Sequence, residues 1–331
     1  MTARLLRAER WRFETLSSRG RIREGRRGYC FPAGMRAALM LSHRLRRMVP
    51  RFRGVQLVAC PYSPLVVQLT LPLVLGRFYG VPVIVDLRFG IAEDAVLSPG
   101  RSTRKILSLA ETILVDSETP AVHLSHLGLP AMVAPLAVDG ERFQSRVIDK
   151  VQPRILARLP ASGPDEADRT ALQVLRKAFD MVKCKYPRTE LRILCDHGGM
   201  SIDQSNDHPG IRVDVAVHDD DVIRAYEWAD VFVNPAIMSA SPIALAHAMA
   251  CGLPVVSTRG GGAAELLQAE EAGFLIRAGQ PGELADRIID LVKRPGLARK
   301  MSLSAARRGK TLQAKAQADS WLRLYRRALA I

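Results

Sequence analysis

The stretch Ala229–Glu265, ADVFVNPAIMSASPIALAHAMACGLPVVSTRGGGAAE, constrains the fold more than any other part of the chain. Val231–Val233 is a short apolar run ending in Asn234-Pro235, the pattern of a buried strand and its exit loop. Ser241-Pro242 opens a second apolar run that continues to Ala250 and closes at Gly252. Ser at the N-cap, Pro at the first helical position and Gly after the last turn predict a helix there. Pro254–Ser257 is a second buried strand leading into Gly260-Gly261-Gly262. Strand, helix, strand and glycine loop form one parallel βαβ unit, because parallel neighbours need a crossover between them. Such a unit places a helix N-terminus and a glycine loop at one sheet edge, where an anion binds.

The same alternation runs through most of the chain. Strands are predicted at Val55–Cys60, Pro82–Leu87, Ile113–Val115 and Ala131–Ala134, with helices from Ser63-Pro64 to Tyr79, Ser102 to Glu111 and Thr119 to Leu127. The apolar centre of the first helix, Leu65–Leu75, is too short for a membrane span of about 20 residues. Pro135–Phe143 (PLAVDGERF) breaks the pattern, and a domain boundary is placed after it, near residue 145. A second series follows, with strands at Arg154–Leu156, Leu191–Cys195, Ile211–Val215 and Phe274–Ile276. Helices are expected at Thr170–Lys185, from Asp219 to Trp228, and at Pro281–Val292, Leu297–Arg308 and Leu312–Leu329. The fold class is therefore α/β, with two doubly wound Rossmann-like domains and no internal sequence repeat. At 331 residues, two domains also fit the length.

Charge is concentrated at the front. The net charge is +15, and residues 1–54 hold fifteen Arg against three Glu. Within this basic head, helices are conceivable at Arg4–Leu16 and Arg36–Val49, the second amphipathic, while Gly20–Gly28 reads as flexible. A basic head on a near-neutral body fits either a solvated tail or an anionic membrane surface as partner. Nucleic acid is disfavoured, because the arginines lack the interleaved aromatics of a base-stacking platform. The five cysteines have no metal-ligand spacing and read as mostly buried thiols in a reducing compartment. No signal peptide is visible, so a cytoplasmic location is expected, with association at the cytoplasmic face of a membrane left open.

His247-Ala248-Met249-Ala250-Cys251-Gly252-Leu253-Pro254-Val255-Val256, followed by Gly261-Gly262-Ala263-Ala264-Glu265, resembles the signature of the retaining GT-B glycosyltransferases of group 1, family 4 type. Gly273-Phe274-Leu275-Ile276 with Gly279 and Glu283-Leu284-Ala285 is similar to that family's continuation. Pro135–Phe143 is similar to its hinge motif, and Asp86-Leu87-Arg88 to an N-domain signature. Ser320-Trp321 to Tyr325 is similar to its terminal helix, which crosses back to the N-domain. The charge sets apart a basic head (1–54), where the chain departs from the family; for the rest, the resemblance implies a shortened N-terminal acceptor domain (55–145) and a nucleotide-sugar-binding domain (146–331) that includes the crossing helix. The shortened N-domain is trimmed, diverged or completed by a partner protein.

The resemblance also implies the chemistry. A nucleotide-sugar donor, UDP- or GDP-linked, would be substrate, with a glycan or lipid-linked acceptor, no metal and no other cofactor. Its leaving diphosphate would be stabilised by Arg158, with Arg169 standing in for the family's Lys, and by backbone donors of Ala240, Ser241 and Ile243. Pro242 removes one N–H there. Gly261 and Gly262 would allow close approach of the donor, and Glu265 would either cap its helix or touch the sugar. The family's two glutamates correspond to Ser239, the catalytic position, and His247, the ribose position. Both can still hydrogen-bond a hydroxyl. Two readings follow: an enzyme building surface glycan or glycolipid, or a non-catalytic subunit that assembles with a partner glycosyltransferase or membrane protein. Asp219-Asp220-Asp221 contains an Asp-x-Asp, but its place at a helix start favours capping over metal binding.

Overall fold

A computed structural model describes residues 16–17, 20–21, 46–47, 49–58, 65–88, 99–159, 166–196, 208–216, 218–236, 242–260, 262–267 and 272–329. The chain divides into two compact units, Leu136–Gln317 and Thr2–Pro135 with Ala318–Ile331. The division falls after Pro135, the first residue of the Pro135–Phe143 stretch. The last helix joins the first part of the chain from Ala318 onward.

The unit Leu136–Gln317 is built on six parallel strands: β7 (Arg154–Leu159), β8 (Glu190–Asp196), β9 (Ile211–Ala216), β10 (Val231–Asn234), β11 (Val255–Thr258) and β12 (Gly273–Ile276). Their order is β12-β11-β10-β7-β8-β9. The sheet grows outward from β7 through β8 and β9 on one side and from β10 through β11 and β12 on the other. The order therefore reverses between β7 and β10. All four residues of β10 and of β11 are buried, as expected of strands covered on both faces. The covering helices are α4 (Glu166–Lys185), α5 (Asp219–Trp228), α6 (Pro242–Ala250), α7 (Ala263–Leu267), α8 (Pro281–Lys293) and α9 (Pro295–Thr311). Gly252 ends α6 with φ 72°. Its N–H donates to Met249 O at 2.9 Å and that of Leu253 to Ala248 O at 2.9 Å, a Schellman closure. Ser302 Oγ, buried in α9, donates to Gly252 O at 2.7 Å and accepts from Ile148 N at 2.8 Å, tying three segments together.

The other unit holds four parallel strands in sequence order: β3 (Val55–Val58), β4 (Val83–Asp86), β5 (Thr112–Val115) and β6 (Ala131–Val133). Helices α1 (Leu65–Tyr79), α2 (Arg101–Leu107), α3 (Glu118–His126) and the end of α10 (Ala314–Ala328) accompany them. Leu69, Leu73, Leu107 and Leu124 pack on Val83, Val85, Ile113 and Val115 to form the core. Helix α2 stops at Leu107, short of the predicted Glu111, because Ser108 to Ala110 turn back on the helix and Glu111 N already donates to Val83 O at 2.9 Å. Short strands Leu16–Ser17 (β1) and Gly20–Arg21 (β2) pair antiparallel, where the sequence suggested a helix ending at Leu16 and a flexible stretch from Gly20. Of the expected helix Arg36–Val49, Arg46 and Arg47 are helical and Val49 opens a 3-10 turn; its other residues, and those of Arg4–Leu16 before Leu16, lie outside the described residues.

The N-domain signature is a buried network. The Asp86 carboxylate is fully buried. It accepts from Arg88 Nε at 2.9 Å, Arg88 Nη2 at 2.7 Å and Gln56 Nε2 at 2.9 Å. Gln56 Oε1 in turn accepts from the Tyr325 hydroxyl of α10, and the Arg88 guanidinium lies over the Trp321 ring at 4.8 Å. Burial first, then the neighbouring Asp86, hold the Tyr325 phenol above its ordinary range. The signature therefore fastens the terminal helix to the sheet. Of the three cysteines described, Cys195 and Cys251 are buried, but Cys184 is exposed near the end of α4, where the expectation was mostly burial.

Candidate active site

In a parallel α/β sheet, a crevice forms beyond the strand C-termini where the order reverses. Here that point lies between β7 and β10. Arg158 is the fifth residue of β7, inside the strand and opposite Leu194, where the sequence placed it just after the strand. Strand β7 runs on to Leu159 because its ladder with β8 continues through Leu159 and Cys195.

Arg158 Nη1 approaches His247 Nδ1 of α6 at 3.5 Å. This is a long, weak hydrogen bond. A guanidinium only donates, so a hydrogen bond here uses the Nδ1 lone pair of the tautomer protonated on Nε2. The imidazole is held on two sides. Phe143, at the end of the hinge motif, stacks on it with centroids 4.1 Å apart and an interplanar angle of 5°. Tyr226 of α5 meets it edge-on at 5.8 Å, and the Tyr226 hydroxyl donates to Ala244 O of α6 at 3.0 Å. The guanidinium and the aromatic clamp around this α6 residue therefore come from β7, α5 and the hinge motif.

A buried polar group fixes the neighbouring strand ends. Asn234 Nδ2 donates to Ser257 Oγ at 3.4 Å, and Ser257 Oγ to Thr258 O at 3.2 Å. Thr258 Oγ1 donates to Ala236 O at 2.6 Å, which pins the exit of β10 to the end of β11. At the opposite edge of this sheet, buried Asp230 accepts from Arg154 Nε at 2.9 Å and Nη2 at 2.8 Å. That hydrogen bonding raises the Arg154 pKa against the opposing effect of desolvation.

Of the other residues singled out by sequence, Ile243 is half-buried in α6 against the core and Gly262 is buried at the start of α7. Glu265 is exposed in the first turn of α7, and Arg169 is exposed in the first turn of α4. Ser239, Ala240, Ser241 and Gly261 lie outside the described residues. Asp221 accepts from His218 N at 2.8 Å and so caps α5, while Asp219 and Asp220 pair with Arg142 of the hinge motif. Partial desolvation lowers the Arg142 pKa, but the two carboxylates outweigh it and leave a net rise. Among the described residues no group of three or more His, Cys, Asp or Glu side chains is placed to hold a metal ion. Phe143 and Tyr226 were not picked out as site residues by sequence. The sole signal for Phe143 was its place at the end of the hinge motif.

Residues 161–294 match the family model described as glycosyl transferases group 1. Over 254 residues the chain is 24% identical to D-inositol 3-phosphate glycosyltransferase of Saccharomonospora viridis, covering 68% of this chain and 58% of that protein. The chain thus spans under two thirds of that relative's length. Among solved structures, sucrose-phosphate synthase from Thermosynechococcus elongatus superposes with a TM-score of 0.68 at 16% identity, covering 94% of this chain and 83% of that one. HepE from Anabaena, in complex with UDP and glucose, gives 0.66 at 14% identity, covering 88% and 82%. The fold is therefore the one these GT-B glycosyltransferase structures share, with two parallel-sheet Rossmann-like halves.

Proposed function

We propose that the protein is a glycosyltransferase that moves a sugar from a nucleotide-sugar donor to a hydroxyl acceptor. The observation that carries this reading is Arg158 at the reversal point of the sheet, set against His247 of α6. The match of residues 161–294 to a glycosyltransferase model, and the UDP-bound structure of HepE, support it.

In this reading the donor's diphosphate lies beside Arg158 and the N-terminus of α6, with Arg169 as a second cation. The anomeric carbon–oxygen bond to the diphosphate breaks, and the negative charge that develops is stabilised by these donors. The acceptor oxygen bonds to the anomeric carbon, and its proton passes to the leaving diphosphate. His247 presents Nε2–H to a ribose hydroxyl. The chemistry is retaining and needs no metal, the nucleotide is uracil- or guanine-based, and the acceptor belongs to a surface glycan or glycolipid.

The test is calorimetric titration with UDP and GDP, together with donor hydrolysis and transfer across a panel of nucleotide sugars. Arg158→Ala weakens nucleotide binding by about tenfold or more, the worth of one hydrogen bond to a charged group. No nucleotide binding and no turnover would sink the proposal. The clamped His247, at a position where the family resemblance implies a carboxylate, favours a second reading as a non-catalytic assembly subunit. Activity gained by Ser239→Glu with His247→Glu would identify a decayed enzyme and argue against a retuned site.

A further inference from the structure

The four strands of the β3–β6 sheet all start at one edge, since the sheet is parallel. Every segment feeding a strand therefore delivers its last residues to that edge. The turn Val49–Arg51 leads into β3, α1 into β4, and α2 into β5. These segments bring exposed Arg51, Arg53, Arg77, Arg104 and Lys105 to the same edge. The end of α10 joins them, because Leu329 packs beside Gly54 and Arg326 and Arg327 precede it, both exposed. Among the described acidic residues of this unit, Glu111 lies here, and exposed Asp319 lies on α10 seven residues ahead of Arg326. Asp86, Asp116 and Glu118 sit at the far ends of β4 and β5 and at the start of α3.

Helix α1 also exposes apolar surface at this edge. Val74 is 48% exposed, Phe78 78% and Tyr79 39%. Val74 and Phe78 are four residues apart and share a helix face. The Phe78 and Tyr79 rings meet edge-to-face at 5.0 Å. An exposed aromatic pair among long cations of one sign is poorly suited to a mixed-charge protein surface. It suits a bilayer interface, where rings enter the headgroup boundary and arginine and lysine stems extend toward lipid phosphates.

We propose that this edge docks on an anionic bilayer surface, with Phe78 and Tyr79 inserted and Arg77, Arg104 and Lys105 paired with lipid phosphates. This assigns membrane contact to the folded body, beyond the basic head at residues 1–54. The test is co-sedimentation of the full chain with phosphatidylcholine vesicles and with mixed phosphatidylcholine/phosphatidylglycerol vesicles. The wild type binds the mixed vesicles and not the neutral ones. Arg77→Glu, Arg104→Glu and Lys105→Glu each lower partitioning at least about fivefold. Phe78→Ser with Tyr79→Ser lowers it by about tenfold or more. In a second measurement, the indole of Phe78→Trp shifts its emission to the blue on mixed vesicles and is quenched by brominated acyl chains, a readout independent of stability. Equal binding to neutral vesicles would overturn the proposal, as would unchanged binding of the double Ser variant, which would hand the contact to the basic head. A Phe78→Trp emission unaltered by vesicles, or self-association of the chain without vesicle binding, would overturn it too.

Discussion

Asp86→Ala is the perturbation with the clearest arithmetic. The wild-type carboxylate is fully buried and accepts three side-chain hydrogen bonds between 2.7 and 2.9 Å, and a fourth from Arg88 N at 3.2 Å. The Arg88 side chain is 11% exposed, so water can replace the lost partner only in part. Removing one member of a buried pair leaves the other charge uncompensated and costs about 3–5 kcal/mol. For a unit of this size, 1 kcal/mol corresponds to roughly 2–4 °C, so the expected fall in its unfolding midpoint is roughly 10 °C. Scanning calorimetry reads this directly. Amide exchange over Leu322–Ala328 should accelerate with it, because Gln56 and Arg88 no longer hold Tyr325 and Trp321 in place. Asp86→Ala combined with Arg88→Met removes both charges and should recover at least half of the loss. A single variant within about 1 kcal/mol of wild type, or a double variant no better than the single, would refute the network as the clasp of α10.

Three further outcomes follow from the other unit. Burial, chiefly, pushes the Cys251 thiol up to about 12 from 9.0. The folded state therefore keeps this proton while the unfolded chain loses it. Stability from this group is complete below pH 9 and is lost as pH rises toward 12, and Cys251→Ala should flatten that alkaline slope in urea titrations. In native protein at neutral pH, alkylation followed by peptide mapping should modify exposed Cys184 and spare Cys251 and Cys195. Gly309→Ala would place a Cβ 2.6 Å from Met249 O where α9 crosses α6. Overpacking of about 1–3 kcal/mol should outweigh the gain in helix propensity of about 1 kcal/mol, giving a net loss in urea unfolding.

Much of the architecture was legible because it is encoded locally. Gly252 after an apolar helix predicts the Schellman closure that is found. The unbroken apolar runs of β10 and β11 predict strands buried on both faces. Asp221 near the start of α5 predicts the cap. The family motif pointed to Arg158 and His247 as site residues, but could not show that they meet, since 89 positions separate them. The hinge motif flagged Phe143 without revealing what it packs against. Asp86-Leu87-Arg88 was visible as a signature, while its partners Gln56 and Tyr325 were not.

The sequence by itself determined the alternation of strands and helices, the parallel sheets this alternation requires, and the basic character of the chain. These depend on side-chain period, caps and crossovers, which act over a few residues. Tertiary structure alone decided that the strand order reverses between β7 and β10, that Phe143 and Tyr226 clamp His247, and that α10 is fastened through Asp86. It also decided that the cations of α1, α2 and α10 gather at one edge of a sheet. Such contacts join residues far apart in the chain, and their energies come from burial and charge pairing that arise once the sheets are assembled.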